Sequence, residues 1–312
     1  MIQAEKLCRH FGARKAVDGI SFEVSPGTVL GFLGPNGAGK TTTIRVLAGY
    51  LPPSSGRAVI HGIDVTVDPV RAQKKIGYLP ESTPLYGEMT VEDFLLFVAA
   101  VRGYSGKERA ERTGRALDAC LLKPVRHQTI ETLSRGYRQR TCFAQALIHD
   151  PPVLLLDEPT EGLDPNQKKV VREMITAMGK EKIILLSTHI LEEVEEVCSR
   201  AIIVNRGRIV ADSTPAELKQ RSDSYNMVTV ALDAKPSQAR EAFERLPGVE
   251  KVVAAGAGAE KAVLRVFPRD KRPLAAELVA AARAKNWAIT DLKTDDGRLD
   301  EVFRRLTADE NN

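Results

Sequence analysis

Gly34-Pro35-Asn36-Gly37-Ala38-Gly39-Lys40-Thr41 fits the spacing G-x-x-x-x-G-K-[ST], a loop that wraps phosphates. A triphosphate is a dense cluster of negative charge, and backbone reaches it closely only where side chains are absent. Gly34, Gly37 and Gly39 are therefore expected at positive φ, with their N–H groups turned inward as an anion nest. A helix beginning near Lys40 adds the positive end of its dipole. Lys40 supplies a mobile cation for the β- and γ-phosphates, and the Thr41 hydroxyl is placed for Mg²⁺. Val29-Leu30-Gly31-Phe32-Leu33 before the loop reads as a buried parallel strand. Thr42 to Leu47 after it reads as a helix, giving the strand–loop–helix order that the motif requires.

Working outward, Val153-Leu154-Leu155-Leu156-Asp157-Glu158 is a second apolar strand, with two carboxylates at its C-terminal end. In open α/β sheets that edge binds ligands. With a phosphate loop beside it, Asp157 is expected to support Mg²⁺ and Glu158 to polarise water. Ile183 to Thr188 is another buried strand, and His189 ends it at the same edge. Phe11, in His10-Phe11-Gly12, could stack on a nucleobase but on its own reads better as core.

The chain has 312 residues, 43% hydrophobic and 28% charged, enough for two domains with their own cores. No apolar run approaches the ~18–20 residues of a membrane span, and the first residues lack a secretory pattern, so the expected place is the cytoplasm. The net charge of +4 gives little support to nucleic-acid binding. Cys8, Cys120, Cys142 and Cys198 lie far apart without a C-x-x-C pair and read as small, reduced, mostly buried residues.

From Pro84 to about Asp150 the texture is helical. Thr90-Val91-Glu92-Asp93 resembles a capping box, and Phe94, Phe97, Val98 and Val101 follow at helical spacing as a core face. Lys107 to Leu122 and the stretch after Tyr137 continue as helices. Ala201 to Ala211 reads as a hairpin turning through Asn205-Arg206-Gly207-Arg208, and Thr214-Pro215-Ala216-Glu217 opens a short helix. Past Ser222 the order β-α-β-β-α-β suggests a small ferredoxin-like α+β sandwich, closed by a helix from Leu299.

Taken in order, these pieces resemble the ATP-binding cassette family of ATPases over roughly residues 1–220. The resemblance rests on the phosphate loop, Glu81 in the loop after the Tyr78 strand, Leu133-Ser134-Arg135-Gly136-Tyr137 as a signature-like sequence, Asp157-Glu158, Gly162-Leu163-Asp164 and His189. It implies an α/β fold: a P-loop NTPase cassette with a mostly parallel sheet, an antiparallel β subdomain and a helical subdomain at about 84–150. Domain limits follow at 1–221 for the cassette, 222–307 for an accessory α+β domain similar to those of multidrug and antibiotic-type exporters, and 308–312 for a tail.

The resemblance also implies roles. Phe11 would stack on adenine. Gly34, Pro35, Asn36, Gly37, Ala38, Gly39, Lys40, Thr41 and Thr42 would hold ATP, with Thr41, Glu81 and Asp157 around Mg²⁺. Glu158 would be the general base, His189 the γ-phosphate switch, and Lys40 the third catalytic group. Ser134 and Gly136 would touch the γ-phosphate held by a second copy, with Asp164 at the same interface. Two departures stand out: Arg135 and Tyr137 occupy positions given to Gly and Gln in the signature LSGGQ, and Glu81 stands where Gln is usual. The implied whole is the ATP-hydrolysing subunit of a transporter, most simply an exporter. It would work as a homodimer or pseudo-dimer on the cytoplasmic face of the membrane, docked through Ser82 to Val101 onto a separately encoded permease. The alternative is a soluble cassette ATPase acting on ribosomes or DNA. Such proteins usually carry two cassettes or a long coiled coil, and neither pattern is present.

Overall fold

The computed structural model describes residues 1–82, 84–256 and 261–308. Thr83, residues 257–260 between two strands, and 309–312 of the expected tail lie outside the described residues. The chain divides into two compact units, Met1–Thr214 and Pro215–Asn312.

The first unit opens with β1 (Ile2–Phe11) and β2 (Arg14–Val24), an antiparallel hairpin turning at Gly12, followed by β3 (Val29–Leu33), in which every residue is buried. The phosphate loop leads into α1 (Lys40–Leu47), and β4 (Ser55–Ile60) and β5 (Ile63–Asp64) follow. The short α2 (Pro69–Gln73) starts on an Asp68 cap with Pro69 at its first position, where a missing N–H costs nothing. Next come β6 (Ile76–Leu79), α3 (Val91–Val101), α4 (Gly106–Ala119) and α5 (Arg135–Leu147). Then β7 (Val153–Asp157), α6 (Pro165–Gly179), β8 (Ile183–Thr188), α7 (Leu191–Val197) and the hairpin β9 (Arg200–Asn205) and β10 (Arg208–Ser213) complete the unit.

Two sheets result. The central one runs β10-β9-β3-β8-β7-β6, parallel except for β10, and the other is antiparallel, β2-β1-β4-β5. Their facing residues form one core, in which Leu7, Ile20 and Phe22 pack toward Leu30, Phe32 and the apolar side of α1. The Phe22 and Phe32 rings meet at 5.6 Å across the layers. β3, β7 and β8 are buried along their whole length, and apolar up to the polar ends Asp157 of β7 and Ser187-Thr188 of β8, because helices and the second sheet leave neither face in water.

The register decides where function can sit. Leu33 pairs with Thr188, Asp157 with Ser187, and Leu79 with Leu156. The loops after β3, β6, β7 and β8 therefore leave the same edge side by side, bringing four stretches far apart in sequence to one rim.

Several local expectations change. Thr90 caps α3 by accepting from Asp93 N–H at 3.2 Å, but the Asp93 carboxylate takes the Thr90 hydroxyl at 2.6 Å; the shorter side chain forms only half of a capping box. On α3 the stripe expected to be core splits. Phe94 and Val98 are buried, whereas Phe97 and Val101 are exposed and line an open groove. The four cysteines are free, three buried and Cys8 partly so.

In the second unit, α8 (Pro215–Lys219) precedes β11 (Val228–Leu232), α9 (Pro236–Glu244), β12 (Val249–Gly256), β13 (Ala262–Pro268), α10 (Ala275–Ala284), β14 (Ile289–Thr294) and α11 (Leu299–Thr307). The sheet order is β12-β13-β11-β14, all antiparallel, the ferredoxin-like arrangement. Val228, Val230 and Leu232 alternate inward against Phe243 and Leu278. Trp287 lies before the last strand, edge-on to Phe243.

The helix Pro215–Lys219 was expected to close the cassette at 221, yet it falls in the second unit. Contacts to later parts of that unit hold it there: Lys219 pairs with Asp296, Lys271 donates to the Gln220 carbonyl and Arg305 to the Arg221 carbonyl, while the Glu301 carboxylate of α11 accepts from the Ser222 and Ser224 hydroxyls and from Asp223 N–H.

Candidate nucleotide site

The shared rim holds a cleft of about 400 Å³ lined by Phe11, Arg14, Ala16, Asn36, Gly37, Gly39, Lys40, Thr41, Thr42, Glu81, Glu158, Glu161 and His189. That volume suits a small polar ligand.

The loop's three glycines do two different jobs. Gly37 and Gly39 are at positive φ (81° and 108°), and Gly39 caps α1 in the left-handed region. Gly34 is not at positive φ, contrary to the sequence expectation. It must be glycine because a Cβ there would collide with the Val204 carbonyl of β9.

Lys40 is buried. Its ammonium donates to the Gly34 carbonyl at 2.7 Å and lies 3.6 Å from Glu158 Oε1. The other Glu158 oxygen is 3.0 Å from His189 Nδ1. Glu158 thus stands between a cation and an imidazole, with φ of 48°, a conformation that costs a non-glycine residue about 1–3 kcal/mol. Its own N–H donates to Ser187 Oγ at 3.1 Å, which fixes this turn to the end of β8.

Beneath it, Asp157 is fully buried. Its Oδ1 accepts from the Thr41 hydroxyl at 2.9 Å and from the Ser187 hydroxyl at 2.6 Å. Its Oδ2 is buried without a hydrogen-bond partner, the orphan lone pair that a hard cation would satisfy. Nearby, burial and the Asp157 charge push the Tyr78 phenol above its ordinary pKa.

Phe11 is 46% exposed, so the plain core reading fails: its ring faces the cleft mouth, with the Arg9 guanidinium 4.7 Å from its centre. Glu81 is exposed and on the cleft. Pro35 and Ala38 belong to the loop without lining the cleft. Ser134, Gly136 and Asp164 are not brought to the cleft either. They gather elsewhere: exposed Ser134 caps α5, exposed Asp164 caps α6 by accepting from Asn166 N–H and Gln167 N–H at 3.0 Å, and Gly136 lies buried against the Gln167 side chain.

Sequence reading missed some supporting residues. Glu193 is buried and takes both the Thr160 and the Thr188 hydroxyls, tying the loop after β7 to the end of β8. Gln139 donates to the Pro159 carbonyl. An acid in the charged run Leu191-Glu192-Glu193 gives no hint of which carboxylate turns inward; only the packing selects it.

Comparison with known proteins agrees with this geometry. Residues 17–161 match the family model described as ABC transporter. The chain is 37% identical over 223 residues to the probable multidrug ABC transporter ATP-binding protein YbhF of Escherichia coli (strain K12), covering 71% of this chain but 38% of that protein. It is thus similar to well under half of that relative's length. It is 32% identical over 307 residues to the daunorubicin/doxorubicin resistance ATP-binding protein DrrA of Streptomyces peucetius, covering 98% of this chain and 92% of that one. A solved structure of an ATP binding subunit of an ABC transporter superposes with a TM-score of 0.64 at 30% identity, over 71% of this chain and 92% of that chain. With the phosphate loop, the paired acids and the histidine on one rim, and DrrA matched along 92% of its length, the chain belongs to the ABC transporter family as one of its ATP-binding proteins.

Proposed function

We propose that this chain hydrolyses ATP as one half of a cassette dimer and drives a separately encoded membrane permease, most simply an exporter. The observation that carries the proposal is the position of Glu158, whose carboxylate lies between Lys40 and His189 above the buried Asp157. Phe11 stacks on the adenine at the cleft mouth. The Gly34–Thr42 loop cradles the phosphates through Gly34, Pro35, Asn36, Gly37, Ala38, Gly39, Lys40, Thr41 and Thr42. Lys40 exchanges its contact with Glu158 for phosphate oxygens. Glu158, so released, orients and deprotonates the attacking water, and His189 reports the γ-phosphate to α7.

The donor set fits Mg²⁺: Thr41, Glu81 and the unpartnered Oδ2 of Asp157 would hold it. The ion's chemistry is to neutralise charge on the β- and γ-phosphates. The separate surface made by Ser134, Gly136 and Asp164 is the half-site offered to the partner's ATP. Binding then closes the pair and loss of the γ-phosphate loosens it.

For the permease, the groove beside α3 is the docking surface. It holds about 960 Å³ and is lined by Tyr50, Tyr86, Phe97, Val101 and Tyr104, among others. Exposed aromatics concentrated on one face mark an interaction site. Among the described residues no helix is long and apolar enough to cross a membrane. The resistance-protein relatives favour export as the direction. Affinity purification from native membranes tests the reading. A hydrophobic membrane protein should co-purify, and be lost on Phe97→Asp; recovery with ribosomes alone would overturn it in favour of the soluble alternative.

A further inference from the structure

Arg135 is the one signature position at which this chain adds a charge. It is the first residue of α5, immediately after the cap Ser134, where the helix dipole makes a cation unfavourable. It is exposed, and among the described residues its guanidinium has no ion-pair or hydrogen-bond partner. The guanidinium instead rests flat on Gly162, in the loop leading to Asp164. A Cβ on Gly162 would occupy the same space, and Gly162 is at φ 67°. A seat built by omitting a side chain holds this unpaired cation at the surface that also carries Ser134 and Asp164.

The cleft on the same chain is short of positive charge. Its charged lining is Arg14 and Lys40 against Glu81, Glu158 and Glu161, with Asp157 directly beneath. Lys40 is already engaged by Glu158 at 3.6 Å. A triphosphate with one divalent ion brings further net negative charge, and Glu81 adds a carboxylate near the γ-phosphate. Transfer of a phosphoryl group needs cations aimed at that charge.

We propose that Arg135 is a catalytic residue supplied in trans, an arginine that leaves its seat on Gly162 to contact the γ-phosphate held by the other copy and offsets the Glu81 carboxylate there. The proposal rests on the dimer reading above. No bond is made or broken by Arg135 itself: water attacks the γ-phosphorus, the bridging oxygen leaves with ADP, and the guanidinium stays protonated throughout.

The test compares Arg135→Ala, Arg135→Lys and Arg135→Gly in the full chain, by steady-state ATP hydrolysis and by ATP-driven dimerisation in a Glu158→Gln background. Arg135→Ala and Arg135→Gly should lower kcat by about a thousandfold, the lower end of what a trans arginine contributes, with KM for ATP changed little. Arg135→Lys should recover part of the rate, because it keeps a charge without the fork. The Glu158→Gln/Arg135→Ala protein should still pair with ATP, because Ser134 and the α5 N-terminus keep their half-site and the arginine acts on charge that develops during transfer. A residue that only braced the tip of α5 would weaken pairing together with turnover, and that outcome overturns the proposal. Turnover of Arg135→Ala within twofold of wild type also overturns it, while leaving the dimer reading intact. If Glu158→Gln with Arg135 present stays monomeric in ATP, the dimer reading itself fails.

Discussion

The Lys40 ammonium lies 3.6 Å from the Glu158 carboxylate, and both side chains are more than nine-tenths buried. Each group therefore depends on the other for charge compensation: removing one partner leaves a buried charge unpaired, at a cost of about 3–5 kcal/mol. A triphosphate relieves that dependence by taking Lys40 over. The pairing links phosphate binding to release of the group that activates water.

Glu158→Gln should lower ATP turnover by about 10²–10⁴-fold, the usual contribution of a general base, while ATP binding persists or tightens because Lys40 is no longer held by a carboxylate. Stopped-assay phosphate release and nucleotide-binding fluorescence check the two halves separately. Full activity in Glu158→Gln would remove the base assignment.

Glu81→Gln should retain ATPase activity. The side chain is exposed on the cleft and no other described side chain is seen to depend on it, so the amide still presents an oxygen to an ion or a water. Loss of activity in this variant, read in the same phosphate assay across a Mg²⁺ titration, would show that the carboxylate itself is required.

Phe11→Ala should weaken ATP binding by roughly tenfold, within the ~1–3 kcal/mol that a base–aromatic stack contributes, and leave the melting temperature nearly unchanged. The exposure of the ring underlies the second half: little packing is lost when it is truncated. A large fall in Tm with unchanged affinity would return Phe11 to a structural role.

His149 gives the cassette a pH-dependent stability. Burial, then the nearby Arg102 guanidinium, push it down from 6.5 to about 4, with Arg112 adding to the shift. The Ile76 carbonyl, 3.0 Å from Nε2, and Asp150 act the other way without cancelling it. Between those two values the unfolded chain binds a proton that the folded chain refuses, so stability falls as pH drops from about 6.5 toward 4. Urea denaturation across this range should show the slope, and His149→Gln should flatten it.

The phosphate loop, the Asp157-Glu158 strand end and His189 were legible because each joins an apolar strand to chemistry-bearing residues at a fixed offset. The β-α-β-β-α-β order of the second unit was legible for the same reason, as period-2 alternation such as that of Val228, Val230 and Leu232 is a local property. Phe11 was not, since an aromatic in a strand is core or cleft according to what lies over it. Phe97 and Val101 were misassigned for the mirror-image reason. Helical spacing defines an apolar stripe but not whether the protein itself covers it.

By itself, then, the sequence determined the local chemistry: a glycine loop for phosphates, two acids closing a buried strand, and a histidine ending the next one. Tertiary structure decided what no local pattern encodes. The parallel register of β3, β8 and β7 set Lys40, Glu158 and His189 within reach of one another. Packing made Gly34 obligatory against Val204 and turned Glu193 inward. The folding of α5 against the Gly162 turn put Ser134 and Arg135 on a surface apart from the cleft. The physical reason is distance along the chain: contacts such as Lys40–Glu158 and Glu158–His189 join residues on different strand ends and exist only once the sheet has fixed which ends lie side by side.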